Sequence, residues 1–130
     1  MIIVNNPTSG EIANASITAP KLSGAQTGSA PIFGVRAWAN FNGTGTVAIR
    51  ASGNVSSITD NGTGNYTVNF TTAMPDANYI VVASASGIAT TDPIAWVGNA
   101  YSTTSCKIFT GSSAVGTFVD ASIVNVMVVG

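Results

Sequence analysis

From Phe33 onward, short runs of residues alternate between apolar and polar side chains. The first run covers residues 33–41, and another covers 66–70. A period of two residues places every second side chain on the same face of a β-strand. The apolar members of the first run are Phe33, Val35, Ala37, Ala39 and Phe41. The sequence therefore predicts strands with one core face and one solvated face.

Turn residues separate these runs about every ten residues, and no stretch has convincing helical periodicity. Asn-Gly and Asp-Asn-Gly clusters at 42–45 and 60–64 are typical of hairpin turns. We expect about eight strands, at 33–41, 46–52, 55–59, 66–71, 79–86, 94–101, 105–110 and 118–129. Their number and spacing predict an all-β domain, an antiparallel β-sandwich or jelly-roll-like fold.

The first 31 residues differ from the rest, because short apolar pieces there are separated by Pro, Gly and Ser. Ile12, Ile17 and Leu22 recur every five residues. We therefore predict an extended arm or stalk over 1–31 that pairs with arms of other chains, with a flexible linker as the alternative. Residues 32–130 form the predicted β-domain.

The chain is poor in charge, with 7% Asp, Glu, Lys and Arg, against about 25% in ordinary soluble proteins. It has no histidine, so a Ser-His-Asp triad is impossible. Its few cations form no basic stripe, which argues against nucleic-acid binding. No apolar run reaches about 18 residues, so we expect no membrane insertion. We also expect no metal site, no cofactor and no enzymatic activity.

The scarcity of charge also predicts association between copies of the chain, because shared surface needs no charged groups to stay soluble. Trp38 lies on the same strand face as Arg36, opposite the predicted core face. We predict subunit contacts at Arg36, Trp38 and Arg50. The lone Cys106 is expected to be a small core residue, and the carboxylates of Asp60, Asp76 and Asp92 are expected to bond to their own turns.

The segment from Asp92 to Tyr101 carries the predicted recognition residues. Sugars stack an apolar face on aromatic rings, while polar side chains form hydrogen bonds with the sugar hydroxyl groups. We predict receptor binding by Asp92, Trp96, Asn99 and Tyr101. For Trp96 itself the alternation with Ile94 and Gly98 slightly favours a place in the core over one on the recognition surface.

The middle of the chain resembles the C-terminal domain of bacteriophage tail fibres. The resemblance rests on RAW at 36–38, NFNG at 40–43, NVSSITDNGTGNYTVNF at 54–70, and Met74-Pro75 followed by Tyr79. The apolar ending at 123–130 is similar too, and ITAPKLSGAQ at 17–26 resembles repeats found where a fibre shaft meets its tip. Residues 87–117 match no part of that family.

This resemblance implies a homotrimeric receptor-binding tip at the distal end of a virion's tail fibre. Its partners would be the rest of the fibre and a host-surface glycan such as lipopolysaccharide, or a host protein. Phage depolymerases have long β-helices with clustered carboxylates, for which this chain is too short and too poor in acidic residues. The alternatives are a structural fibre segment or decoration protein that recognises nothing, and a small glycan hydrolase.

Overall fold

A computed structural model describes residues 34–88, 92–114 and 116–130, all within one compact unit, Phe33–Gly130. The predicted arm at 1–31 lies outside the described residues. The described part contains nine β-strands and no helix, and therefore no helix that could cross a membrane. The strands are β1 Val35–Asn42, β2 Ala48–Gly53, β3 Val55–Asp60, β4 Asn65–Phe70, β5 Ile80–Ser86, β6 Pro93–Tyr101, β7 Ser105–Ser112, β8 Thr117–Phe118 and β9 Ile123–Val129.

The strands form two antiparallel sheets. Sheet A has the order β2-β1-β9-β5, and sheet B has the order β3-β4-β7-β6, with the short β8 also paired to β7. Hairpins join β1 to β2, β3 to β4, β6 to β7 and β7 to β8 within one sheet, while the other connections cross between sheets. The all-β, sandwich-like fold predicted from the alternation is confirmed.

The core lies between the sheets and is built from alternate residues of their inner strands. Ala37, Ala39 and Phe41 of β1 are buried, and so are alternate residues of β4, β7 and β9. The Phe41 ring meets the Tyr66 ring edge-on across the sandwich, with 5.2 Å between centroids. Cys106 is a core residue as predicted, and burial raises the pKa of its thiol to about 12.

Two sequence-based details differ from the structure. Val35 was expected on the core face, yet it is 55% exposed, because the β1–β9 register shifts between Val35 and Ala37. The single strand expected over 118–129 is divided into β8 and β9. Between them the Val119 amide donates to the Thr110 carbonyl of sheet B. The chain then crosses to sheet A.

Asn54 holds the corner where the chain passes from β2 of sheet A to β3 of sheet B. Its backbone φ is +55°, in the left-handed region. Its side-chain amide donates to the Arg36 and Thr72 carbonyls, and its Oδ1 accepts from the Thr72 amide at 2.7 Å. Asparagine suits such a position, because its short polar side chain can bond to nearby backbone.

A polar network lies at one end of the core, around Asp120. Its Oδ1 accepts from the Gly64 amide at 2.6 Å and from the Tyr66 hydroxyl at 2.8 Å. The Tyr66 hydroxyl also lies 2.9 Å from the Gly43 carbonyl. Burial, and next the bond to Asp120, raise the pKa of Tyr66 well above its ordinary value. These bonds connect both sheets with the β8–β9 crossing.

The buried phenols and thiol predict loss of stability at alkaline pH. Burial raises the pKa of Tyr79 to about 12, and the pKa values of Tyr66 and Cys106 shift in the same direction. In the unfolded chain the thiol loses its proton near pH ~8.5 and the phenols near ~10. The unfolded state therefore binds fewer protons above these values, so stability falls as pH rises.

We expect the urea midpoint to be constant at neutral pH and to fall between about pH 9 and 11. The Cys106→Ala variant should delay the onset of this fall towards pH ~10, because only the phenols then contribute. A midpoint that stays constant up to pH ~11 would contradict the burial of these groups.

Candidate binding surfaces

The outer face of sheet B carries three stacked aromatic rings. Trp96 of β6 lies directly opposite Phe109 of β7, and Phe118 of β8 lies beside both. Ring centroids are 6.1 Å apart for Trp96–Phe109, 5.5 Å for Trp96–Phe118 and 5.2 Å for Phe109–Phe118. The planes lie within 28° of one another. We call these three side chains the aromatic platform.

Two glycines let the aromatic platform lie close to the sheet. A Cβ on Gly111 would come 3.0 Å from the Trp96 ring, and one on Gly98 would come 2.8 Å from the Phe109 ring. Rings that cover glycines shield the backbone there. Trp96, Gly116, Thr117 and Phe118 line an open depression of about 470 Å³. One edge of the platform therefore borders a space that a small ligand can enter.

The same outer face becomes polar towards β4 and β3. The Asn61 amide donates to the Thr67 hydroxyl at 2.9 Å. The Asn69 amide donates to the Thr59 hydroxyl at 2.9 Å and to the Ser57 hydroxyl at 3.1 Å. Lys107 lies between the polar strands and the aromatic platform, with its Nζ 5.9 Å from the centroid of the Phe109 ring.

Of the four predicted receptor-binding residues, Trp96 and Tyr101 lie on opposite sides of sheet B. Trp96 is 36% exposed on the outer face, so the predicted place in the core is wrong. Tyr101 pairs with the buried Cys106 and therefore points to the core side of sheet B, where its ring lies 5.1 Å from the Tyr79 ring. Asp92 precedes β6 and lies at the other end of that strand from Tyr101, because the pairs Pro93–Ser112 and Tyr101–Cys106 are about 20 Å apart along β7. Asn99 lies in β6, and its side chain is outside the described structure.

The sequence analysis missed three residues of this surface, namely Lys107, Phe109 and Phe118. Within 105–110 every second residue is buried, so Lys107 and Phe109 share the other face. The alternation could have found that pair. It could not have found Phe118, because the pairing of a two-residue strand with β7 depends on the tertiary structure.

The outer face of sheet A is apolar along its middle. Trp38, Met127 and Val82 lie side by side on three neighbouring strands, and each is at least 39% exposed. Ile80 and Ile123 extend this exposed surface. We call these five side chains the apolar face. Trp38 lies over Gly53, where a Cβ would come 2.5 Å from the indole nitrogen.

A row of polar side chains lies next to the apolar face on the outer side of sheet A, two residues away along each strand. The Asn40 amide donates to the Asn125 Oδ1 at 2.6 Å, and the Asn125 amide donates to the Ser84 hydroxyl at 3.3 Å. The three residues are in direct register on β1, β9 and β5. Their polar groups bond to one another, so this row carries no net charge.

Of the predicted subunit contacts, Trp38 belongs to the apolar face and the two arginines have partners within the chain. Arg36 Nε donates to the Gly130 carbonyl, and Arg50 Nη2 donates to the Ser122 carbonyl at 2.6 Å. The two guanidinium groups thus hold the opposite ends of β9. Their contact with other subunits remains a prediction.

No protein-family model, curated protein or solved structure matches the chain. What the protein can bind must therefore be argued from the two outer faces alone.

Two of the described carboxylates bond within their own turns. Asp60 Oδ1 accepts from the Gly62 amide, and Asp76 Oδ1 accepts from the Asn78 amide, which confirms the predicted turn bonds for these two residues. Asp92 has a φ of +65° directly before Pro93. No group of three or more metal-ligating side chains occurs in the part of the chain that the structure describes.

Proposed function

We propose that this protein is the receptor-binding tip of a bacteriophage tail fibre, which attaches the virion to a glycan on the host surface without catalysing a reaction. The observation that carries the proposal is the aromatic platform on the outside of sheet B. Three large rings on a sheet surface are not needed to fill the core, which lies on the other side. Trp96 and Phe118 are exposed to solvent, which is typical of a recognition surface.

The chemistry of this face suits a sugar. The C–H face of a pyranose packs on the exposed part of Trp96 and Phe118, and the neighbouring depression has room for the ring. The amide and hydroxyl groups of β3 and β4 offer partners for sugar hydroxyls. Sites of this kind combine an apolar wall with a few polar groups that fix orientation.

The apolar face of sheet A supports the homotrimer. Monomeric proteins rarely leave a row such as Trp38, Met127 and Val82 exposed, and such patches mark protein contacts. We propose that it packs against other copies of the chain within the fibre tip. Three copies then present three aromatic platforms to one cell surface, so modest single-site affinity is multiplied.

Trp96→Ala tests the recognition surface. We expect the affinity of each site for host cells and for glycans on arrays to fall roughly 30-fold, a loss of about 2 kcal/mol in binding free energy, because a central aromatic anchor is lost. Trp96→Phe keeps a ring there and should retain most of the affinity. Tyr101→Phe is a control on the opposite side of sheet B, where the Tyr101 ring lies beside the Tyr79 ring.

The outcomes separate the proposal from its alternatives. If Trp96→Ala binds as well as the natural chain, the aromatic platform is not the recognition surface. A trimer that binds neither cells nor glycans would indicate a structural fibre segment or decoration protein. Attachment that survives enzymatic removal of surface glycans would indicate a protein receptor. Release of reducing sugars from host polysaccharide would contradict the absence of catalysis.

A further inference from the structure

We propose that the sugar bound at the aromatic platform carries an anionic group, a carboxylate or a phosphate, which pairs with the ammonium group of Lys107. This inference rests on the proposed function and narrows its ligand class. It depends on the position of Lys107 at the boundary between aromatic and polar residues on the outer face of sheet B.

Lys107 is held in place by its strand and its neighbours. It lies on β7, between β4 and β6, and is half-buried. Gly98 on β6 has no side chain, and a Cβ there would come 3.1 Å from Lys107 Cβ and Cγ. The ammonium group lies over the Phe109 ring. The aliphatic stem therefore packs against sheet and ring, while the charged end reaches the rim of the platform.

The ammonium group of Lys107 has no anionic partner within the described residues. Its electrostatic contact there is with the face of the Phe109 ring. The residue opposite it on β4 is Thr67, and the next in that row is Thr59 on β3. Asp60, the nearest carboxylate in sequence to that row, pairs with the buried Tyr66 and so points to the other side of sheet B.

The other two cationic side chains of the described residues bond to the backbone of sheet A, which Lys107 does not. Arg36 and Arg50 each donate to a backbone carbonyl at one end of β9 in sheet A. Lys107 is thus the cation that sheet B offers to a ligand. An anion close to it would replace part of its hydration, beside aromatic rings that exclude water and weaken dielectric screening.

This arrangement predicts a measurable preference. Stacking on Trp96 and Phe118 does not depend on ligand charge, so neutral and anionic sugars should share that contribution. The ammonium group adds attraction for the anion alone, which we expect to be about tenfold at low ionic strength and to shrink as salt is added. The preference should therefore depend on Lys107, and the common affinity on Trp96.

The test compares galactose-based ligands that carry a carboxylate, a phosphate or no charge at C6. Binding of the full chain to oligogalacturonide, to an oligogalactoside of equal length and to a galactose 6-phosphate glycoside is measured by calorimetry, at low salt and at about 0.5 M NaCl. The proteins compared are the natural chain, Lys107→Met, Lys107→Arg and Trp96→Ala. Methionine keeps an unbranched stem over Phe109 and removes the charge.

We expect tighter binding of one or both anionic ligands, loss of this preference in Lys107→Met, and its retention in Lys107→Arg. The carboxylate and phosphate arms show which anion fits. Equal affinity for charged and neutral sugars, or an unchanged preference in Lys107→Met, would overturn the inference. If Trp96→Ala still weakens binding in that case, the proposed function stands. If no sugar binds in a Trp96-dependent way, both fall.

Discussion

Replacing Gly64 with alanine is expected to lower the free energy of unfolding by about 3–4 kcal/mol, from the sum of backbone strain and overpacking. Gly64 has a φ of +61°, which side chains disfavour. A Cβ there would also contact the Thr110 carbonyl oxygen and would come 2.9 Å from the Val119 amide nitrogen. These are backbone atoms of the β7–β8 region, and they cannot move without breaking the bonds around Asp120.

Gly45→Ala is the matched control for this substitution. Gly45 has the same φ of +61°, but no heavy atom lies within 4 Å of its Cβ position. Gly45→Ala should lower the free energy of unfolding by about 1 kcal/mol, which is the strain of the left-handed conformation alone. Urea unfolding of both variants measures the difference. Equal losses of stability in the two variants would mean that the backbone around Gly64 and Asp120 moves to accept the new methyl group despite its hydrogen bonds.

Replacing Val82 with lysine is expected to convert the proposed trimer into monomers. Val82 is 52% exposed on the edge strand β5, so the isolated chain should lose less than about 0.5 kcal/mol of stability. In an interface, the same ammonium group would be buried without a partner, which costs several kcal/mol. Light scattering measures the mass. Attachment to cells should fall by about 10²-fold or more, because multivalency is lost.

Thr63→Lys adds the same charge at an exposed hairpin turn and should leave mass and attachment unchanged. The two faces can also be separated, because monomeric Val82→Lys should bind a soluble oligosaccharide with the affinity per site of the natural chain. A variant that remains trimeric would exclude the apolar face from the subunit contact. A natural chain that is monomeric at micromolar concentration would contradict the trimer itself.

Much of the fold could be predicted from the sequence, because a buried face imposes a period of two on every inner strand. Ala37, Ala39 and Phe41 were placed on the core face for this reason, and all three are buried. The pattern fails where the register shifts. Val35 lies beyond such a shift, and the division of 118–129 follows from the side-chain bonds of Asp120, which alternation cannot reveal.

The candidate site was predictable only in part. Trp96 could be singled out because it is an aromatic residue in a strand flanked by polar turns. Tyr101 was grouped with it by proximity in sequence, but Trp96 and Tyr101 are an odd number of residues apart, and the two rings lie on opposite sides of sheet B. The true neighbours of Trp96 come from β7 and β8, and only sheet pairing brings them together.

The placement of the two tryptophans also makes the protein its own optical probe. The chain contains only Trp38 and Trp96, one on the outer side of each sheet, and both are partly exposed. In Trp38→Phe the remaining indole emission reports events on sheet B, and in Trp96→Phe it reports events on sheet A. Ligand capture and subunit assembly are then followed as separate fluorescence signals, in two single-tryptophan variants that need no label.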